Sequence, residues 1–177
     1  SWLSKMATKK EENMKAKKLF LIAAIASLTF TACSSDDNNA VEALTINAIE
    51  GEYIGEARGT LVTISQTGEQ QSHDVTPQGT ETATVSVNAA DGTLIINEPT
   101  FYVGKGGYPG AIVRKIPALL TDDAITFSLK DYSSMNGYYT VAGDISGEYK
   151  DNKLILDYTF LHAGQIVGTI HYEGMKQ

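Results

Sequence analysis

Between residues 49 and 174 apolar side chains recur with a period near two, the spacing of half-buried β-strands, and glycine or Asp/Asn turns break the runs. The pattern predicts a long first strand over 51–64, bent where Gly55 and Gly59 lack side chains. A polar loop is expected over 67–78. Strands follow at 82–88 and 93–96, turned at Asp91-Gly92, with 101–103 continuing the second past Pro99. A glycine-rich turn over 104–110 leads to a strand at 111–116. Later strands are read at 125–129, 138–149, 154–160 and 166–173, with Asp151-Asn152 as a tight turn. Shared faces collect Ile125, Phe127 and Leu129; Tyr139, Val141, Ile145 and Tyr149; Leu154, Leu156, Tyr158 and Phe160; and Ile166, Ile170 and Tyr172. Helix is absent from this reading: 113–120 is interrupted by Pro117 and amounts to one turn at most.

About eight strands joined mainly by short turns predict an all-β fold, a small antiparallel up-and-down β-barrel, with a β-sandwich as the alternative. A barrel of roughly eight strands has an interior filled by side chains or wide enough for one small ligand. Outward positions such as Glu52, Thr126, Ser128 and Asp157 are polar, which argues against the lipid-facing apolar band of a membrane-spanning barrel.

The stretch 14–33 has a different pattern. Lys15, Lys17 and Lys18 precede an apolar run over 19–30, relieved only by Ser27 and Thr29, and small residues lead to the single cysteine, Cys33. The run falls short of the roughly 20 apolar residues that a spanning helix takes. A charged start, short apolar middle and small-residue exit read as a secretory signal. With Cys33 next, the segment resembles a bacterial lipoprotein signal, with Phe30 where that pattern usually has Leu. The resemblance implies that Cys33 is lipidated and becomes the first mature residue, anchoring the protein to a membrane through acyl chains. Residues 1–13 read as a translation-start artefact or an untidy n-region before Met14. The expected organisation is therefore a signal over 1–32, the lipidated Cys33 with a flexible polar tether to residue 48, and a barrel domain over 49–175.

Removing the signal changes the charge. Cys33 onward carries 8 Lys and Arg against 19 Asp and Glu, a formal charge of 8 − 19 = −11. Nucleic acid is excluded as a partner, because phosphate binding takes a basic stripe. The acidity reads as solubility.

Candidate chemistry is sparse. His73, His162 and His171 lack the short spacing of a metal site. The Gly104-Lys105-Gly106-Gly107 run lacks the order of a phosphate loop, and Ser65 and Ser133-Ser134 lack a nucleophile elbow. Asp122-Asp123 and the group Glu69, Asp74 and Glu81 lack calcium-loop spacing. The reading is of no catalytic residue, no metal, no cofactor and no enzyme. Tyrosine is abundant, at nine, and packs well on half-buried sheets. The alternative use is that Tyr102, Tyr108, Tyr132 and Tyr138, near predicted strand ends, line a barrel mouth or a sugar-stacking surface as ligand-binding residues.

Three segments carry a family likeness: Gly51-Glu52-Tyr53, the run Ile112-Val113-Arg114-Lys115-Ile116-Pro117, and the closing Gly147, Lys153-Leu154-Ile155-Leu156 and Ile170-His171-Tyr172-Glu173-Gly174. Together they resemble the calycin-like lipoprotein domains of Bacteroidetes, a largely uncharacterised group. Asp36 and Asp37, just after Cys33, resemble the acidic export signal of surface lipoproteins in the same bacteria. The resemblance implies a small lipocalin-like barrel, lipid-anchored in the cell envelope, and brings no catalytic residues. The lipocalin signature has Trp where Tyr53 stands here. The expected protein is an outer-membrane lipoprotein, on the periplasmic or the cell-surface face. Its non-enzymatic barrel binds a small apolar or amphipathic ligand or a protein partner. The alternative is an adhesin-like or assembly subunit making protein or glycan contacts through its loops.

Replacing Cys33 by Ser is expected to move the protein out of the membrane fraction and abolish palmitate labelling. A mutant that still pellets with membranes and still labels contradicts the anchor.

Overall fold

The computed structural model describes residues 42–136 and 139–177, so Cys33 and Tyr138 lie outside the described residues. Twelve strands run in chain order: β1 Gly51–Ile64, β2 Gln70–Val75, β3 Glu81–Val87, β4 Leu94–Asn97, β5 Phe101–Val103, β6 Gly106–Tyr108, β7 Ile112–Ile116, β8 Ala118–Leu120, β9 Ile125–Asn136, β10 Tyr139–Lys150, β11 Lys153–His162 and β12 Ile166–Lys176. Nine of them follow one another as β7-β4-β3-β1-β12-β11-β10-β9-β8 in a nearly closed antiparallel barrel, and β2 joins as a second partner of β1. Among the described residues no helix is long and apolar enough to cross a membrane.

Closure comes from one bent segment. β7 pairs with β4, and β8, just past Pro117, pairs with β9, so the two ends of the sheet are met by consecutive pieces of chain. Proline has no N–H for a ladder, and the break between β7 and β8 falls there. The Ser128 amide donates to the Pro117 carbonyl at 3.4 Å. Along the remaining seam the Ser134 hydroxyl donates to the Ile112 carbonyl at 2.7 Å. β1 is shared in the same way, its first half pairing with β3 and its second with β2.

Alternation fills the inside. Tyr53, Ala57 and Leu61 of β1, Val141, Ile145 and Tyr149 of β10, Leu154, Leu156, Tyr158 and Phe160 of β11, and Ile170 and Tyr172 of β12 are all at most 5% exposed. Close strand approach adds a glycine requirement. A Cβ on Gly55 would sit 1.8 Å from the carbonyl oxygen of Glu173, so only glycine lets β1 and β12 pair tightly there.

Both ends are covered. A 3-10 turn over Ile46–Ile49 seats the fully buried Ile49 near the start of β1, where the Tyr53 hydroxyl donates to its carbonyl at 2.6 Å. Leu44, Ile46 and Ala48 pack on the same core. Towards the opposite end lies the β5–β6 hairpin, whose strands, among the described residues, pair only with each other. Its Phe101 is fully buried. The Phe101 ring stacks on Tyr108 at 5.2 Å between centroids and meets Phe160 edge-on at 5.4 Å.

Four segments differ from the expectation. The polar loop over 67–78 contains β2, because backbone pairing to residues 59–64 holds a strand in which only Val75 is buried and no alternation is visible. Residues 101–103 do not extend β4; they turn back on Gly106–Tyr108 inside the stretch read as a turn. The chain after Pro117 is strand, not a helical turn. β9 runs seven residues past 129, because a bulge changes its phase: Tyr132 faces Gly143 but Leu129 faces Ile145, three steps against two. Asp131 takes the extra place at φ 54, its amide donating to Asp144 Oδ1 at 2.8 Å, and Tyr132 turns into the core. The turn at Asp151-Asn152 is as expected, with φ 51 and 62, the values of a two-residue hairpin.

Candidate functional site

On the outer face of β1, β12, β11 and β10, the strand registers line up polar side chains. Arg58 lies opposite His171, His171 opposite Asp157, and Asp157 opposite Ser146. One step along, Glu56 faces Glu173. His171 sits between carboxylates, with Nδ1 2.7 Å from Asp157 Oδ1 and Nε2 3.2 Å from Glu173 Oε1. Lys153 makes an ion pair with Glu173, and Arg58 Nη2 one with Glu56 at 2.6 Å. The bond to Asp157, more than that to Glu173, raises the His171 pKa, while Lys153 and then His171 lower that of Glu173. These groups are about half exposed, where a single ion pair is worth at most about 1 kcal/mol.

A groove of about 580 Å³ runs over this face, lined by Ile54, Glu56, Arg58, Lys153, His171 and Met175. An adjoining hollow of about 420 Å³ shares His171 and is lined by Thr60, Ser146, Asp157, Thr159 and Thr169. Apolar side chains beside alternating charges suit contact with a mixed polar surface. When protonated, His171 donates from both ring nitrogens to these carboxylates. Among the described residues no group of three or more His, Cys, Asp or Glu side chains is placed to hold a metal.

A second cluster is buried. Glu98, 5% exposed, accepts the Tyr132 hydroxyl on Oε1 at 2.7 Å and the Ala111 amide on Oε2 at 3.1 Å. Its own amide donates to the Ala111 carbonyl at 2.9 Å. Next to it, the Tyr158 hydroxyl donates to the Pro99 carbonyl at 3.3 Å. Burial pushes the Glu98 carboxyl up to about 7, against the opposing pull of its two hydrogen bonds. Desolvation first, and the Glu98 charge second, raise the phenols of Tyr132 and Tyr158. Glu81, also buried, differs: its carboxylate accepts the Ala57 and Gln78 amides at 3.3 and 3.2 Å.

The four tyrosines singled out above have separate placements. Tyr132 is in the core beneath Glu98. Tyr108 is half-buried against Phe101 and Phe160. Tyr102 is the neighbour of Phe101 on β5 and so points to the other face, beside Gln78, Thr82 and Thr100. Tyr138 is outside the described residues. These three described rings share no single mouth. Reading the sequence missed Glu98 and the row Asp157, His171 and Glu173. Glu98 interrupts the apolar run before Pro99-Thr100-Phe101, and His171 and Glu173 share the outward parity of β12; both signals are visible only once the registers are known.

Glu98 makes stability depend on pH. Its folded pKa is raised from 4.5 to about 7, so its stabilising contribution is complete below the unfolded value and is lost as pH rises through the folded one. The loss falls between about pH 4.5 and 7 and amounts to about 3 kcal/mol. Raised His171 acts in the same direction, more weakly because it is exposed. Urea unfolding followed by circular dichroism is expected to show stability falling from pH 5 to pH 8. Glu98→Gln is expected to remove most of that fall; an unchanged slope contradicts the assignment.

Comparison with known proteins carries no argument about this chain. No family model matches the chain, and no curated protein matches it. Among solved structures it is similar to the crystal structure of the isotype 1 transferrin binding protein B from serogroup B Neisseria meningitidis. The match has 13% identity and a TM-score of 0.40, and covers 80% of this chain and 27% of that one. At that level of similarity nothing that protein binds carries over to this chain.

Proposed function

We propose that this chain is a non-enzymatic binding domain, held at the cell envelope through a lipidated Cys33, that contacts a protein partner with the outer face of β1, β12 and β11. The observation that carries the reading is where space is found. Inward positions are taken by Tyr53, Tyr172, Phe101, Phe160 and their neighbours, all fully buried or nearly so, and both ends are covered. Concave surface lies outside, over the groove of about 580 Å³ with Arg58, Lys153, His171 and Met175 on its walls. A partner fitted there meets a preformed pattern of charge, held by cross-strand ion pairs, around apolar Ile54 and Met175. A small apolar ligand inside the barrel is disfavoured by the same packing, because it would have to displace aromatic side chains already in contact.

The test is a photo-crosslinking amino acid placed at Arg58 or at Lys153 in the full chain, compared with one at Asp91 in the β3–β4 turn. A discrete crosslinked protein band from the groove positions in intact cells, absent from the Asp91 control, is the expected outcome. Equal labelling at all three positions, or none in the groove, contradicts an outer-face partner site.

A further inference from the structure

We propose that the β5–β6 hairpin is a hinged lid on the end of the barrel, pivoting at the Glu98–Ala111 pair and opening when Glu98 loses its proton. The inference goes beyond the outer-face reading and does not depend on it.

Three observations carry it. The hairpin is a separate two-stranded sheet, so moving it breaks no barrel ladder. At its neck the Glu98 amide meets the Ala111 carbonyl, and the Ala111 amide meets the Glu98 carboxyl. Among the described residues the hairpin docks through the Thr76 amide to the Tyr102 carbonyl at 3.1 Å, the Tyr158 hydroxyl to the Pro99 carbonyl, and the aromatic contacts of Phe101 and Tyr108 with Phe160, none of them a barrel ladder bond. An element with so little backbone pairing belongs to the low-stability end of a structure.

The hinge residue supplies the trigger. Among the described residues the ionisable groups facing Glu98 are Tyr132 on β9 and Tyr158 on β11, with Asp144 on β10 acting on Tyr132 from beyond. Neither tyrosine is a cation, so among the described residues an ionised Glu98 is held by the Tyr132 hydroxyl and the Ala111 amide. In the protonated form the carboxyl can donate to the Tyr132 oxygen, and the Tyr132 hydroxyl then donates to the Thr159 carbonyl, 3.2 Å away. Every group is satisfied in that arrangement. Ionisation removes the donor and leaves a charge in an apolar setting, which solvent relieves when the neck opens. Burial places the carboxyl at about 7, so the change falls near neutrality. Acid closes the lid and mild alkali loosens it.

Amide hydrogen exchange read residue by residue by NMR on the full chain tests the lid, after correction for the intrinsic rate at each pH. The amides of Thr76 and Ala111 are expected to open more often than those of Tyr158 and Ile170 in β11 and β12. Their opening constant is expected to rise by up to tenfold per pH unit between about 4.5 and 7 and level off above. Glu98→Gln keeps an acceptor for Ala111 and should abolish the rise. Tyr158→Phe, which removes the hydroxyl on Pro99, should raise Thr76 exchange at every pH with the slope unchanged. Thr76 and Ala111 exchanging in step with Tyr158 and Ile170 would mean that only whole-domain unfolding occurs, and would overturn the lid. A separate opening that is flat with pH, or unaltered by Glu98→Gln, would overturn the trigger.

Discussion

Pairing of β1 with β12 is the constraint on which the remaining structure depends. It joins the first and last strands of the domain over an unbroken register from Tyr53–Lys176 to Thr63–Ile166. Without it the sheet is open, with β1 and β12 exposing unpaired edges of the kind that invite wrong partners. The pairing also sets the curvature, since the Gly55 backbone lies against that of Glu173 with no room for a side chain. A contact between the two ends of a domain carries a large loop-closure cost, which the short hairpins β9–β10, β10–β11 and β11–β12 lessen by assembling the intervening sheet locally.

The same closure divides the molecule chemically. Side chains of one parity are enclosed, and there tyrosine serves as a core residue with a polar tip. The Tyr172 hydroxyl reaches the Tyr53 and Glu81 carbonyls at 2.9 and 3.0 Å, tying β12 to β1 and β3 from within. Among the described residues no buried side-chain nitrogen or oxygen lacks a hydrogen-bond partner, which is the condition under which so polar an interior is tolerated. Side chains of the other parity form the row of charges around His171 on the outer face. Glu98 and Glu81 are the exceptions among the described residues, buried carboxyl groups held by hydroxyl and amide donors and not by a cation.

The barrel was legible in the sequence wherever one face is dry and the other wet. Ile125, Phe127, Leu154, Leu156, Tyr158 and Phe160 alternate and are buried as read. Legibility failed where pairing alone makes the strand. β2 is polar on both faces and is held by its backbone bonds to β1, which composition does not record. It failed again where phase changes: the extra residue at Asp131 resets the alternation, so the strand pattern stops at Leu129 although the strand does not. Site residues were harder still. Asp157 and His171 are 14 apart in sequence and meet only through the β11–β12 register, and Glu98 finds Tyr132 across 34 residues through that same bulge.

The inward positions of the barrel are filled by its own side chains, and the proposed binding is at its surface. Native mass spectrometry of the protein, extracted gently from the cell envelope and compared before and after denaturation, tests it most directly. A barrel filled by its own side chains is expected to give one native mass that is unchanged when the fold is lost. A discrete additional mass of a small apolar molecule, present in the native protein and released on denaturation, would contradict it.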